Sequence, residues 1–94
     1  MITEIATITI SAGNEEAFAK AMNEGGLAHL RACPGVGNVQ FGRGVENPSN
    51  FAFVVEWASL EAHAAAKDTD DFRACRAAMG TTAVGGSMEH FALD

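Results

Sequence analysis

Few residues in this chain are able to move protons near neutral pH. There are three histidines (His29, His63 and His90), one tryptophan (Trp57) and no tyrosine. Imidazole titrates near neutrality, so inward histidines converging on one cavity would supply a general base or a proton shuttle. His29 falls on the helical stripe of Phe18 and Met22, and His63 on that of Leu60 and Ala64. Strand alternation sets His90 with Val84 and Met88. Each could equally be a half-buried, hydrogen-bonded histidine with no chemical part. A three-histidine metal centre lacks the short HxH or HxxxH spacing that ligand pairs use, so no metal is expected. Arg43 shares a strand face with Phe41 and Val45, where it would steady a substrate oxyanion, pair with an acid of another subunit, or lie at the rim. Cys33 and Cys75 have no neighbouring His or Lys to depress a thiol pKa, so packing is the expected role. The stretch from Gly80 to Gly86 has no GxGxxG context and reads as a loop at a pocket lip.

Composition narrows the partners. Twelve acidic against six basic side chains give a net charge of −6. That surface repels phosphate backbones and anionic lipid, so neither nucleic acid nor a membrane is an expected partner. No apolar run approaches the roughly 18–20 residues that span a bilayer. The start, Met1-Ile2-Thr3-Glu4, does not resemble a secretion signal. Two cysteines without CxxC spacing fit a reduced, cytoplasmic setting. Ninety-four residues suit one domain, spanning 1–94.

The elements that would position these residues follow from local pattern. Ile2 to Ile10 interleaves isoleucine with threonine and predicts a strand. Asn14 ahead of Glu15-Glu16 starts a helix of about 15–32, with Gly25-Gly26 predicting a kink or close backbone contact. Pro34-Gly35 stops it. Residues 36–45 and 51–57 flank Glu46-Asn47-Pro48-Ser49-Asn50 as an antiparallel hairpin. Ser59 caps a second helix, broken near Lys67-Asp68-Thr69-Asp70 and continued through Phe72, Cys75 and Met79. A last strand of about 83–93 completes β-α-β-β-α-β, the ferredoxin-like α+β plan, with helices on one face of a four-stranded antiparallel sheet. Apolar residues on both faces of the first and third strands (Ile5, Ala52 and Val54 on the uncovered one) predict that a second copy covers the open face, giving a homodimer.

The segment Pro34-Gly35-Val36, then Glu46-Asn47-Pro48, then Phe51 through Glu56-Trp57-Ala58-Ser59-Leu60-Glu61-Ala62-His63 resembles the antibiotic biosynthesis monooxygenase (ABM) family. The start Gly13-Asn14-Glu15-Glu16-Ala17-Phe18 and the end Met88-Glu89-His90-Phe91 are also similar to it. The resemblance implies a dimeric α/β barrel with a pocket between sheet and helices in each subunit. It implies oxidation of a phenolic or quinol-type compound by molecular oxygen, with no flavin, metal or other cofactor. Within it, Trp57 takes the pocket-tryptophan position, His63, His90 and His29 are base candidates, and Phe53, Met22 and Met88 form walls, with Arg43 an oxyanion partner. The chain has no asparagine on its first strand, and Ala64-Ala65-Ala66-Lys67 follows His63; both depart from the haem-degrading relatives. Phe53 stands where oxygenating relatives often carry asparagine. Two other readings remain open at this point: a non-catalytic small-molecule-binding or stress-associated dimer, and an isomerase of a small carbonyl compound.

Overall fold

The computed structural model describes all 94 residues. Its strands are β1 (Ile2–Ile10), β2 (Val36–Arg43), β3 (Asn50–Trp57) and β4 (Ala83–Phe91). Helices α1 (Glu15–Ala21) and α2 (Leu27–Arg31) are joined by a π-helical turn, Met22–Gly26. Helices α3 (Leu60–Ala66) and α4 (Asp70–Met79) form the second crossover. The sheet is antiparallel throughout, in the order β2-β3-β1-β4. This is the ferredoxin-like α+β arrangement.

Local chemistry explains the boundaries. Ser59 Oγ accepts from the Ala62 N–H at 3.0 Å, and Thr69 Oγ1 from the Phe72 N–H at 3.2 Å, so α3 and α4 each begin on a side-chain cap. Such a cap is worth about 0.5–2 kcal/mol. Gly35 has φ +80°, and a Cβ there would come within 2.9 Å of the Ala62 Cβ, so only glycine fits this tight passage from helix to β2. The hairpin ends sooner than the pattern predicts: β2 stops at Arg43, and Val45 lies outside it, 90% exposed.

Register sorts the two sheet faces. Ile2↔Trp57, Glu4↔Val55, Ala6↔Phe53 and Ile8↔Phe51 point to the helices, and so do Glu4↔His90 and Ala6↔Met88. Thr3, Ile5, Thr7 and Thr9 point the other way, opposite Glu56, Val54, Ala52 and Asn50. The buried core sits on the helical face. Trp57, Phe51, Ile10, Met22 and Val55 are its largest fully buried side chains, each contributing about 1.5–3 kcal/mol of hydrophobic stabilisation.

The π turn resets the helical phase. An i→i+5 turn holds one more residue than an α turn, which rotates everything after it. The inward positions become Gly26, Leu27, Leu30 and Cys33, and His29, which the stripe of Phe18 and Met22 places inward, turns outward. Gly26 also permits close contact, since a Cβ would sit 2.8 Å from the Met22 sulfur and 3.2 Å from the Ala78 Cβ on α4.

Candidate active site

Glu4, Trp57, His63 and His90 come together at one end of the sheet. Glu4 and His90 are direct cross-strand partners on β1 and β4, and Trp57 ends β3. The Ser59 cap starts α3 two residues after Trp57, and one turn of helix then brings His63 back over the indole. The two rings stack, with centroids 4.4 Å apart and planes 9° apart. Trp57 Nε1–H donates to Glu4 Oε1 at 2.9 Å, and His63 Nε2 stands 3.5 Å from the same oxygen. On its other side His63 Nδ1 lies 2.7 Å from His90 Nε2, one ring donating and the other accepting. The result is a continuous chain from indole to carboxylate to imidazole to imidazole.

Charge in this chain is controlled by burial. His63 is 4% exposed. Desolvation pushes its pKa below the ordinary imidazole value, Lys67 and His90 push the same way, and the Glu4 carboxylate opposes them. His63 is therefore neutral at pH 7, with a carboxylate placed to stabilise the imidazolium once a proton arrives. With Glu4 ionised, the favoured tautomer carries its proton on Nε2 facing that carboxylate, leaving Nδ1 to accept from His90.

Beside this chain lies a cavity of about 470 Å³, within the range of small-molecule sites. Glu4 and His63 line it together with Phe53, Val55, Phe72, Leu30, Met79 and Met88. Cys75 lines it too, but burial raises its thiol to about 11, so it is a protonated wall group rather than a nucleophile. No three His, Cys, Asp or Glu side chains form a metal-binding group.

The structure brings together only some of the residues singled out from sequence. His63, His90 and Trp57 meet, and Phe53 and Met88 line the adjoining cavity. His29 does not join them. Its side chain is 48% exposed and its Nδ1 lies 2.8 Å from Asp71 Oδ1, because the π turn rotates it off the inward face. Met22 is sealed in the core below the helices, fully buried and packed near Gly26, and does not line the cavity. Arg43 is on the correct sheet face but at the other end, opposite Phe51. It donates to Pro48 O and Glu16 Oε1. Phe51 pairs with Ile8, four residues along β1 from Glu4, about 13 Å at strand rise.

Glu4 escapes the sequence reading. Its signal is present, since alternation puts it with Ile2, Ala6 and Ile8 on the apolar face of β1. A carboxylate at an inward strand position needs a partner or a purpose. Lys67 and Arg76, also cavity-lining, are missed for a different reason: both are exposed cations, and helical spacing from His63 and Phe72 gives them a face but no role.

The fold and this arrangement define an ABM-type α+β protein. The chain belongs to the antibiotic biosynthesis monooxygenase family, whose model matches residues 1–78. A candidate antibiotic biosynthesis monooxygenase from Bordetella bronchiseptica is 23% identical, with 99% of this chain and 96% of that one aligned at a TM-score of 0.87. One from Caulobacter crescentus is 26% identical over 99% and 90% of the two chains, at 0.82. A variant of SnoaB, a cofactor-independent oxygenase from Streptomyces nogalater, is 15% identical over 98% and 91%, at 0.79. No curated protein matches the chain. No helix is long and apolar enough to cross a membrane.

Proposed function

We propose that this protein is a cofactor-independent monooxygenase, oxidising a small aromatic or quinol-type compound in the cavity between sheet and helices. The observation that carries this reading is the Glu4–His63 pair in the wall of a largely apolar cavity, with His90 hydrogen-bonded to His63 outside the lining, in a member of this family. The buried, neutral imidazole of His63, hydrogen-bonded to half-buried His90 and flanked by the Glu4 carboxylate, is suited to take a proton from an acidic phenol or its keto tautomer.

The chemistry balances without a cofactor. A substrate whose reactive carbon is a ring methylene gives one proton to the histidine pair, and Glu4 stabilises the resulting imidazolium. The electron-rich anion passes one electron to molecular oxygen, and the two radicals combine to form a C–O bond. The peroxide takes the proton back, then loses water as the second C–H bond breaks, leaving a ring carbonyl. One oxygen atom enters the product and the other leaves as water, both electron pairs coming from the two C–H bonds of the substrate. The walls Phe53, Phe72 and Met88 hold the flat body and keep bulk water from the anion.

The same reading includes a homodimer through the uncovered sheet face. Ile5 is 38% and Phe91 37% exposed there, beside Val54 and Ala52. Sedimentation of the purified protein at micromolar concentration checks the assembly.

Oxygen uptake by metal-free protein with anthrones and hydroquinones tests the activity. Protein-dependent uptake that collapses in His63→Gln is the expected result. Turnover without oxygen would point to an isomerase, and saturable binding without turnover to a ligand carrier; either would overturn the oxygenase.

A further inference from the structure

The six Lys and Arg side chains of this chain are not spread evenly over their partners. Lys20 meets Glu24, Arg43 meets Glu16, and Arg73 meets Asp70. Arg31 donates to the Val39 carbonyl. Lys67 and Arg76 have no carboxylate within salt-bridge reach, in a protein with twelve acids to choose from. These two are also the two cations that line the cavity.

Their placement is set by the helices. Lys67 caps the C-terminus of α3, one turn beyond His63 and close enough to lower its pKa. Arg76 lies one turn beyond Phe72 on α4, its guanidinium 5.2 Å from the centre of that ring, and Phe72 in turn is 6.1 Å from His63. Two acids at the start of α4 are already engaged: Asp70 by Arg73 and Asp71 by His29. Both cations are exposed, so they stand at the rim, while Glu4 and His63 are set into the wall.

We infer that the rim is an anion subsite, and that the natural ligand is an aromatic compound bearing a carboxylate. Its anionic group is held between Lys67 and Arg76, and its flat body lies against Phe72 and Met88, with the reactive ring towards His63. An Arg stacked on an aromatic ring is held in one plane, which favours bidentate recognition of a planar carboxylate. The arrangement also separates charges: the ligand's anion stays at the rim, away from the Glu4 carboxylate within. This inference names the substrate class for the site described under Proposed function and rests on that site being the binding pocket.

Binding, not turnover, tests it. Anthraquinone-2-carboxylate and its neutral carboxamide are matched probes, read by quenching of Trp57, the sole tryptophan. The wild-type protein is expected to bind the carboxylate about tenfold more tightly than the amide at low salt, with the preference shrinking as salt is raised. The double variant Lys67→Gln/Arg76→Gln should lose the preference while holding the amide as well as before; an unchanged circular dichroism spectrum establishes that it folds. Equal affinities in the wild-type protein, a preference that survives the double variant, or no binding of either probe would each overturn the inference. Oxygen uptake is scored separately. Carboxylate preference without uptake sinks the oxygenase but leaves the anion subsite, whereas uptake confined to neutral substrates does the reverse.

Discussion

The two ends of this sheet carry ring clusters that share only β3, and they do opposite things with them. At the hairpin end, Phe18, Phe41, Phe51 and Phe53 pack with centroids 4.8–6.3 Å apart, and Arg43 closes the cluster 5.5 Å over Phe51. Those rings carry no nitrogen, and Arg43 is held by Glu16 and a backbone carbonyl. At the other end the indole donates to a carboxylate and stacks on one imidazole, which is hydrogen-bonded to a second, and a cavity opens beside them. Only Phe53 belongs to both, touching Phe41 on one side and the cavity on the other. Close packing without polar atoms fixes a fold; polar rings beside empty volume cost stability and are kept for chemistry.

The largest contrast comes from breaking one member of each cluster. His63→Gln is expected to lower oxygen-dependent turnover by about 10²–10⁴-fold, with a much smaller effect on melting. Phe18→Ala should do the reverse, costing about 3–5 kcal/mol in denaturant unfolding while the folded fraction keeps its turnover. If the Phe18 variant instead loses turnover per folded molecule, the two ends are coupled and the division fails.

The legibility of the two ends from sequence differs for physical reasons. The hairpin cluster follows directly from strand alternation, because Phe41, Phe51 and Phe53 need only point inward. The polar end depends on residues 4, 57, 63 and 90 meeting; local periodicity supplies His63 and His90, and the family resemblance supplies Trp57. Glu4 is hidden by a β-branched run whose isoleucines dominate the pattern. His29 is misplaced when a helical stripe is extended through Gly25-Gly26; the glycines signal an irregularity but not its size, and one extra residue per turn carries an inward position outward. Sequence spacing says which face a residue takes, but not how far along the sheet it stands, which is why Arg43 is grouped with a site at the other end of the strands.

Glu4→Gln sharpens the polar end next. The amide oxygen still accepts the Trp57 N–H, so packing is preserved and only the charge is lost. Turnover should fall about 10–100-fold, the worth of a hydrogen bond to a charged group. The acid limb of the pH profile should shift to lower pH, because an imidazolium without its counter-charge gives up its proton more readily. A variant with wild-type turnover would remove Glu4 from the proton chain and leave it as a tether for Trp57.

A smaller effect separates the ends by pH. The folded pKa of His63 is depressed, chiefly by burial. Its stabilising contribution is complete above the unfolded imidazole value of about 6.5. Below that the unfolded chain takes up a proton that the folded one resists, so stability falls with pH down through the folded value. Melting temperature should therefore drop as the pH is lowered from neutral to about one unit below that imidazole value, and His63→Gln should flatten that slope while Phe18→Ala leaves it intact. Glu15, held below the usual carboxylate range by the Ser49 hydroxyl, destabilises in the same direction but at lower pH, outside this window. An unaltered slope in His63→Gln would mean that another group senses the acid.

The smallest effect is expected where a charge and a ring meet in the hairpin cluster. Arg43→Gln breaks the pair with Glu16, but Glu16 is 87% exposed and Arg43 34% exposed, so solvent screens the interaction. The loss should not exceed about 1 kcal/mol, and turnover should stay at the wild-type value. The ring contact adds little more at an exposed site. The Arg43 result tests a stronger statement than its size suggests. A guanidinium over a phenylalanine occurs at both ends, at Arg43–Phe51 and Arg76–Phe72. The first has a carboxylate partner, and the second faces the cavity without one. If Arg43→Gln alters ligand affinity as much as Arg76→Gln does, an arginine stacked on a ring is a general surface feature of this protein, and the cavity rim loses its distinction.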